Sequence, residues 1–168
     1  WNKHTNMQLD TRVPLIISRE LSHKGRKAGV SSNALVENVD VFPSIAEAAG
    51  LPMPKLDGQS LLTLLDNPEM KWDNAAYSLF TRGKTMGVTV TDGKWRYTEW
   101  RDAKTQALKF TELYDHTTSE VASANVSGQK KHQVLEEKLK AMLHQQFPMN
   151  APSFYEKRHV KNNQVLTQ

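Results

Sequence analysis

A chain of 168 residues, 38% hydrophobic and 24% charged with four Trp, falls in the globular class and is long enough for one domain, or a domain with a subdomain. Its net charge of +4 favours an anionic ligand but is too dispersed for a nucleic-acid footprint, and the lack of cysteine excludes disulfides, thiolate nucleophiles and Cys-based zinc sites. No apolar run approaches the roughly 18 residues of a membrane span, and the N-terminal residues carry no leader pattern, which in a fragment would say nothing of the compartment.

The first stretch, Trp1-Asn-Lys3-His4-Thr-Asn6, precedes the apolar run Val13-Pro-Leu-Ile-Ile17. That run is rich in β-branched residues and reads as a strand buried on both faces, with Pro14 at its start or at a bulge. Lys3 and His4 then fall in a loop entering one end of a sheet, where α/β proteins place ligand groups. An ammonium with three donors beside an imidazole suits an anionic, oxygen-rich ligand. Spacing alone favours a plainer account, two solvated side chains. Arg12 reads as a ligand arginine or, more simply, as a partner for Asp10 or Glu20. The basic segment Ser22 to Gly29 reads as an exposed, mobile loop.

Asp40 to Gly50 reads as a helix, capped by Asp40, with Pro43 in its first turn and Gly50 as its stop, and with Val41, Ile45 and Ala49 on one face. Leu51 to Gly58 is a proline-punctuated connection, and Gln59 to Leu65 a short helix closed before Pro68. From Ala75 the pattern alternates. Residues 77–80, 86–90, 95–100 and 110–114 read as strands, and Asp92-Gly93 as a tight hairpin turn with positive φ angles. Lys130 to Phe147 places Val134, Leu135, Leu139, Met142, Leu143 and Phe147 on one stripe of an amphipathic helix.

This divides the chain into residues 1–66, the end of a large α/β body, residues 67–150, an antiparallel-sheet subdomain with its helix, and a surface tail at 151–168. The first zone is expected to be incomplete, because a strand buried on both faces needs parallel neighbours. There is no Gly-rich phosphate loop, no Gly-x-Ser-x-Gly elbow and no metal-ligand spacing. Trp95, Tyr97 and Trp100 invite a sugar-stacking reading, but they cannot all line one surface, and strand aromatics usually pack. Arg82 and Lys84 could overhang a ligand or form a solvated turn. Asn125-Val-Ser127 fits a glycosylation triplet of low specificity.

Several stretches, taken together, resemble the C-terminal portion of type I sulfatases, in the group that includes iduronate-2-sulfatase and bacterial polysaccharide sulfatases. They are Trp1 to Asn6; Thr11-Arg-Val-Pro-Leu-Ile16; Val39-Asp-Val-Phe-Pro-Ser-Ile-Ala-Glu-Ala-Ala-Gly-Leu-Pro52; Leu56-Asp-Gly-Gln-Ser-Leu61; Met86-Gly-Val through Trp95-Arg-Tyr-Thr-Glu-Trp100; and Glu112-Leu-Tyr-Asp-His116. Their order and spacing match across residues 1 to about 126. Residues 117–126 depart from the pattern, with Ser119-Glu120 and Ala122 where the family commonly has Asp-Pro and a Glu, and only Asn125 fitting.

The resemblance implies an α/β, alkaline-phosphatase-like fold: the last strand and helices of a large mixed-sheet domain, then a small four-stranded antiparallel sheet packed on a C-terminal helix. It implies hydrolysis of sulfate esters on a carbohydrate by a formylglycine made from Cys or Ser, beside Ca2+, with these groups upstream on an N-terminal portion that acts as this chain's partner. It matches Lys3 to a lysine that contacts the sulfate, sets His4 toward the sugar, and leaves Arg12 and Arg82 as lesser candidates for substrate contact. No nucleic acid and no membrane span are expected, and the location is periplasmic, extracellular or, in a eukaryote, lysosomal. A phosphonate or phosphate ester hydrolase on the same fold, and a non-catalytic module binding anionic polysaccharide, are the alternatives.

Overall fold

The computed structural model describes residues 4–18, 29–72, 75–119 and 121–150. They belong to two compact units, one containing the residues up to Arg12 and those from Tyr77 onward, the other within Val13–Ala76. Of the basic loop expected at Ser22 to Gly29 all but Gly29, and the whole tail at 151–168, lie outside the described residues.

In the first unit a single helical turn, α1 (Gln8–Thr11), is followed by a four-stranded sheet: β1 (Ala76–Arg82), β2 (Thr85–Thr91), β3 (Trp95–Asp102) and β4 (Leu108–Asp115). Strand order follows chain order, and β2–β3 and β3–β4 pair antiparallel. The β2–β3 turn forms as expected at Asp92-Gly93, but only Gly93 takes a positive φ, 86°. Asp92 contributes its side chain instead, Oδ1 accepting the backbone N–H groups of Lys94 and Trp95.

Register sorts the side chains. Val88 opposes Glu99, Val90 opposes Tyr97, and Tyr97 opposes Leu113, so these residues share one face. That face packs under the last helix, α4 (Gln133–Gln146), which buries Leu139 and Leu143 completely. Each such aliphatic side chain contributes about 1.5–3 kcal/mol. Val134 does not join the stripe: it is 83% exposed. A helical residue is rotated 100° from its neighbour, and the inward track runs through Leu135, Leu139, Met142 and Leu143, one position along.

The other sheet face is polar although buried. The hydroxyls of Thr89 and Thr98, opposite each other in the ladder, share a 2.7 Å hydrogen bond, and Arg96 is 2% exposed. The strand pattern survives this because the threonine hydroxyls pair with each other and the Arg96 Nη groups find oxygens in the segment crossing the sheet, although Arg96 Nε and Trp100 Nε1 are left without a partner among the described residues.

Beyond β4, Asn125 reaches back to the strand. Its Oδ1 accepts the Leu113 N–H and its Nδ2 donates to the Thr111 carbonyl, so the amide continues the ladder as a neighbouring backbone would. The nitrogen that a glycan would need is thus engaged in the fold.

In the second unit α2 (Val41–Ala48) and α3 (Leu62–Asp66) follow the expected positions, and Gly50 ends the first with φ 66°. The face of α2 differs from expectation: Pro43, Ser44 and Ala46 are buried while Ile45 is exposed. The reason is polar. Asp40 accepts the N–H groups of Glu37 and Gln59, and Ser44 Oγ accepts that of Leu61, so these two side chains must point inward. Asp40 therefore serves the incoming loop as well as the chain entering α2.

Val13 to Ile17 is a correction. It belongs to no strand, and Ile16 is 91% exposed. Among the described residues no strand pairs with it, and an extended segment without a hydrogen-bonding neighbour is not a strand.

Gly58 is needed for space. A Cβ there would stand 2.1 Å from the Val39 carbonyl oxygen, a backbone atom that cannot swing aside. Gly58→Ala is expected to destabilise the protein by at least about 2 kcal/mol, read as a lowered urea midpoint at unchanged slope. An unchanged midpoint would show that the loop shifts freely.

Candidate functional site

The segment around the expected ligand loop is seated on the polar face of the sheet. Thr5 Oγ1 donates to the Asp10 carboxylate and accepts the Met7 N–H, which closes the chain into α1. Asn6 is buried and its Nδ2 donates to the Gly87 carbonyl at 2.9 Å. Gly87 permits that approach: a Cβ would come within 2.9 Å of the same nitrogen and 3.0 Å of the Trp100 ring. On β3, Arg96 donates to the Asn6 carbonyl, to Gln8 Oε1 at 2.7 Å and to Thr11 Oγ1 at 3.0 Å. Residues 4–11 thus touch β1, β2 and β3 in turn, because the His4 ring lies 6.0 Å from that of Phe80.

Arg96 carries the electrostatic cost of this seat. Among the described residues no carboxylate pairs with it, and its Nε has no partner. Burial lowers its pKa to about 10, so it remains a cation at neutral pH with its charge met by three neutral oxygens.

The expected site residues are placed unevenly. Lys3 lies outside the described residues. His4 is exposed beside Phe80. Arg82 is exposed at the end of β1, two residues past Phe80 and so on the same side of the strand, about 7 Å along. His4, through Phe80, and Arg82 thus both lie along the edge strand β1, and both are exposed. Arg12 is exposed just after α1, where its N–H closes the turn onto the Gln8 carbonyl. Lys84 sits in the β1–β2 turn and its carbonyl accepts the Ala103 N–H.

The aromatic trio divides as expected. Trp95 meets the His132 ring at 4.9 Å, Tyr97 is buried under α4, and Trp100 stacks on Phe110 at 5.7 Å. All three pack within the fold.

A second polar cluster escaped the sequence reading. Glu99 and Arg101 are fully buried on the α4 side of β3. Glu99 Oε2 accepts both Nε and an Nη of Arg101, at 2.9 and 2.7 Å. Its Oε1 accepts the Tyr97 hydroxyl and faces His144 Nε2 of α4 at 2.8 Å, while Arg101 also donates to the Phe147 carbonyl at the helix end. Burial pushes the Glu99 carboxyl upward, but hydrogen bonds from Arg101 and His144 outweigh it and hold the group below the usual carboxylate range. Tyr97 moves up, through burial first and the adjacent Glu99 charge second. The signal was present in the alternation, since residues 97, 99 and 101 share a face. It was masked because charged residues normally mark the solvent side.

Among the described residues no group of side chains could hold a metal ion, and no helix is long and apolar enough to cross a membrane.

A family model described as N-sulphoglucosamine sulphohydrolase, C-terminal, matches residues 1–148. A solved structure from Bacteroides thetaiotaomicron VPI-5482, described as that of a proposed sulfatase, superposes with a TM-score of 0.53 at 21% identity over 63% of this chain. At that identity the likeness speaks for the fold, and the match spans 23% of the solved chain. No curated protein matches. The small sheet with its covering helix is that expected of the C-terminal part of an alkaline-phosphatase-like sulfatase, and the family match runs through both compact units. The chain belongs to the N-sulphoglucosamine sulphohydrolase C-terminal family of sulfatases.

Proposed function

We propose that the chain is the C-terminal portion of a type I sulfatase that hydrolyses sulfate esters of a carbohydrate, and that it acts together with an N-terminal portion. The observation that carries this reading is the family match, which begins at Trp1 and so includes the Lys3-His4 segment. In the proposed enzyme residues 1–66 complete the large α/β domain, residues 67–150 form the subdomain and 151–168 a surface tail.

Lys3 is proposed to contact the sulfate, offsetting charge as the S–O bond breaks, and His4 to face the sugar. Arg82, on the same strand edge as His4, fits a more distant anionic group of the substrate, and Arg12 is a weaker candidate beside α1. Ca2+ and a formylglycine would come from the N-terminal portion; when bound, they supply charge neutralisation and the nucleophile. Such an enzyme is proposed to work in the periplasm, outside the cell or in a lysosome.

The test is release of inorganic sulfate by the full-length enzyme from sulfated oligosaccharides, N-sulfated glucosamine among them because the matched family bears its name. Sulfate release is the expected result. Cleavage of phosphate esters alone would move the reading to a phosphohydrolase, and saccharide binding without turnover would reduce it to a binding module.

A further inference from the structure

We propose that Arg96 is a positioning residue for the segment that bears His4, an inference that rests on the sulfatase reading. Among the described residues, every side-chain hydrogen bond of Arg96 goes to one short segment: the Asn6 carbonyl, Gln8 Oε1 and Thr11 Oγ1. A residue needed only to pair strands has no reason to be charged here, because β3 is already paired on both sides and a buried cation is costly. A planar guanidinium reaching three oxygens at fixed angles instead dictates where the segment lies, which an aliphatic side chain or a lysine would not.

The seat is completed from below. Asn6 is held a second time by its bond to the Gly87 carbonyl, at a position where a Cβ would collide with it. His4 is two residues from Asn6 in the chain, and two residues span at most about 7 Å. Anchoring Asn6 therefore confines His4, and a displacement of about 1 Å at a reacting centre is enough to cost up to about 100-fold in rate.

The experiment compares Arg96→Met, Thr11→Val and Gln8→Leu with Leu139→Ala in the full-length enzyme, at a temperature where all remain folded. Leu139→Ala is the comparator because it opens a cavity on the opposite face of the sheet and leaves the seat intact. Arg96→Met is expected to lower kcat on a sulfate ester at least about 10-fold, with KM changed by less than about threefold. It should also speed exchange of the Asp10, Thr11 and Arg12 amides, which are bonded within α1. Thr11→Val and Gln8→Leu should each lower kcat about threefold, and Leu139→Ala should leave kcat within about twofold.

A kcat for Arg96→Met equal to that of Leu139→Ala would overturn the proposal. If Arg96→Met does not fold, unchanged kcat in both Thr11→Val and Gln8→Leu overturns it as well. If the parent enzyme cleaves no sulfate ester, the functional reading fails first. Unaltered amide exchange in Arg96→Met then sinks the positioning claim by itself, and accelerated exchange upholds the anchoring on which it stands.

Discussion

Arg101→Met is expected to lower the stability of the protein by about 3–5 kcal/mol, the scale of breaking a buried ion pair by removing one partner. The loss comes from what stays behind. Glu99 is fully buried and accepts two hydrogen bonds from Arg101, so truncating the arginine leaves a carboxylate served only by Tyr97 and His144. The Phe147 carbonyl at the end of α4 loses its donor in the same step. Against a total of about 5–15 kcal/mol for a typical domain, that is a large fraction. Replacing both charges, as Glu99→Leu with Arg101→Met, should restore part of the loss, because it removes the unpaired charge along with its partner while the Tyr97 hydroxyl, His144 and the Phe147 carbonyl still lack theirs.

The same cluster sets an acid dependence. The folded-state Glu99 carboxyl titrates below its ordinary range, so its contribution is fully present above the unfolded value of about 4.3. It is lost as pH falls from there through the lowered folded value. Urea unfolding between pH 6 and pH 3 should therefore show a steeper loss in the parent than in Arg101→Met. Equal stability of the parent and Arg101→Met at pH 6 would show that water reaches Glu99 and the pair is not buried in solution.

Lys3→Ala is expected to lower sulfate-ester turnover by at least about 100-fold in the full-length enzyme, the scale of losing one preorganised electrostatic stabiliser. By the rate arithmetic this is about 2.7 kcal/mol of transition-state stabilisation. The loss should fall on kcat more than on KM if the ammonium meets charge that develops as the ester bond breaks. Lys3→Arg should recover only part of it, since a forked guanidinium does not place its donors where a point-like ammonium does. Near-normal turnover in Lys3→Ala would remove the residue from the site. Unfolding midpoints equal to the parent's would show that its loss is chemical rather than structural.

The legible parts of this protein are those that periodicity encodes. Alternation in 86–90 and 95–100, the Asp92-Gly93 pair and the stripe through Leu139 and Leu143 each point to one local structure, and each is present. The family resemblance carried by the ordered motifs likewise stands, since it rests on residue identity rather than on packing. Local pattern was weaker at edges. Val134 lies one position off the inward track of α4, and α2 turns a different face inward than its apolar residues suggest.

Reading the sequence alone determined the four strands, the covering helix, the family and the choice of Lys3 and His4 as candidates, because these depend on neighbours in the chain or on motif order. Only the tertiary structure decided that Asp40 and Ser44 serve a loop more than fifteen residues away, and that Glu99 and Arg101 sit inside. It also decided that Arg96 holds Asn6, Gln8 and Thr11 across more than eighty residues. The physical reason is common to all three. A buried polar or charged group is tolerable only when its partners are in place. For Asp40, Ser44 and Arg96 those partners come from distant parts of the chain, and for Glu99 and Arg101, two residues apart, the distant part is α4, whose His144 and Phe147 complete the cluster, so no window of sequence contains the whole set.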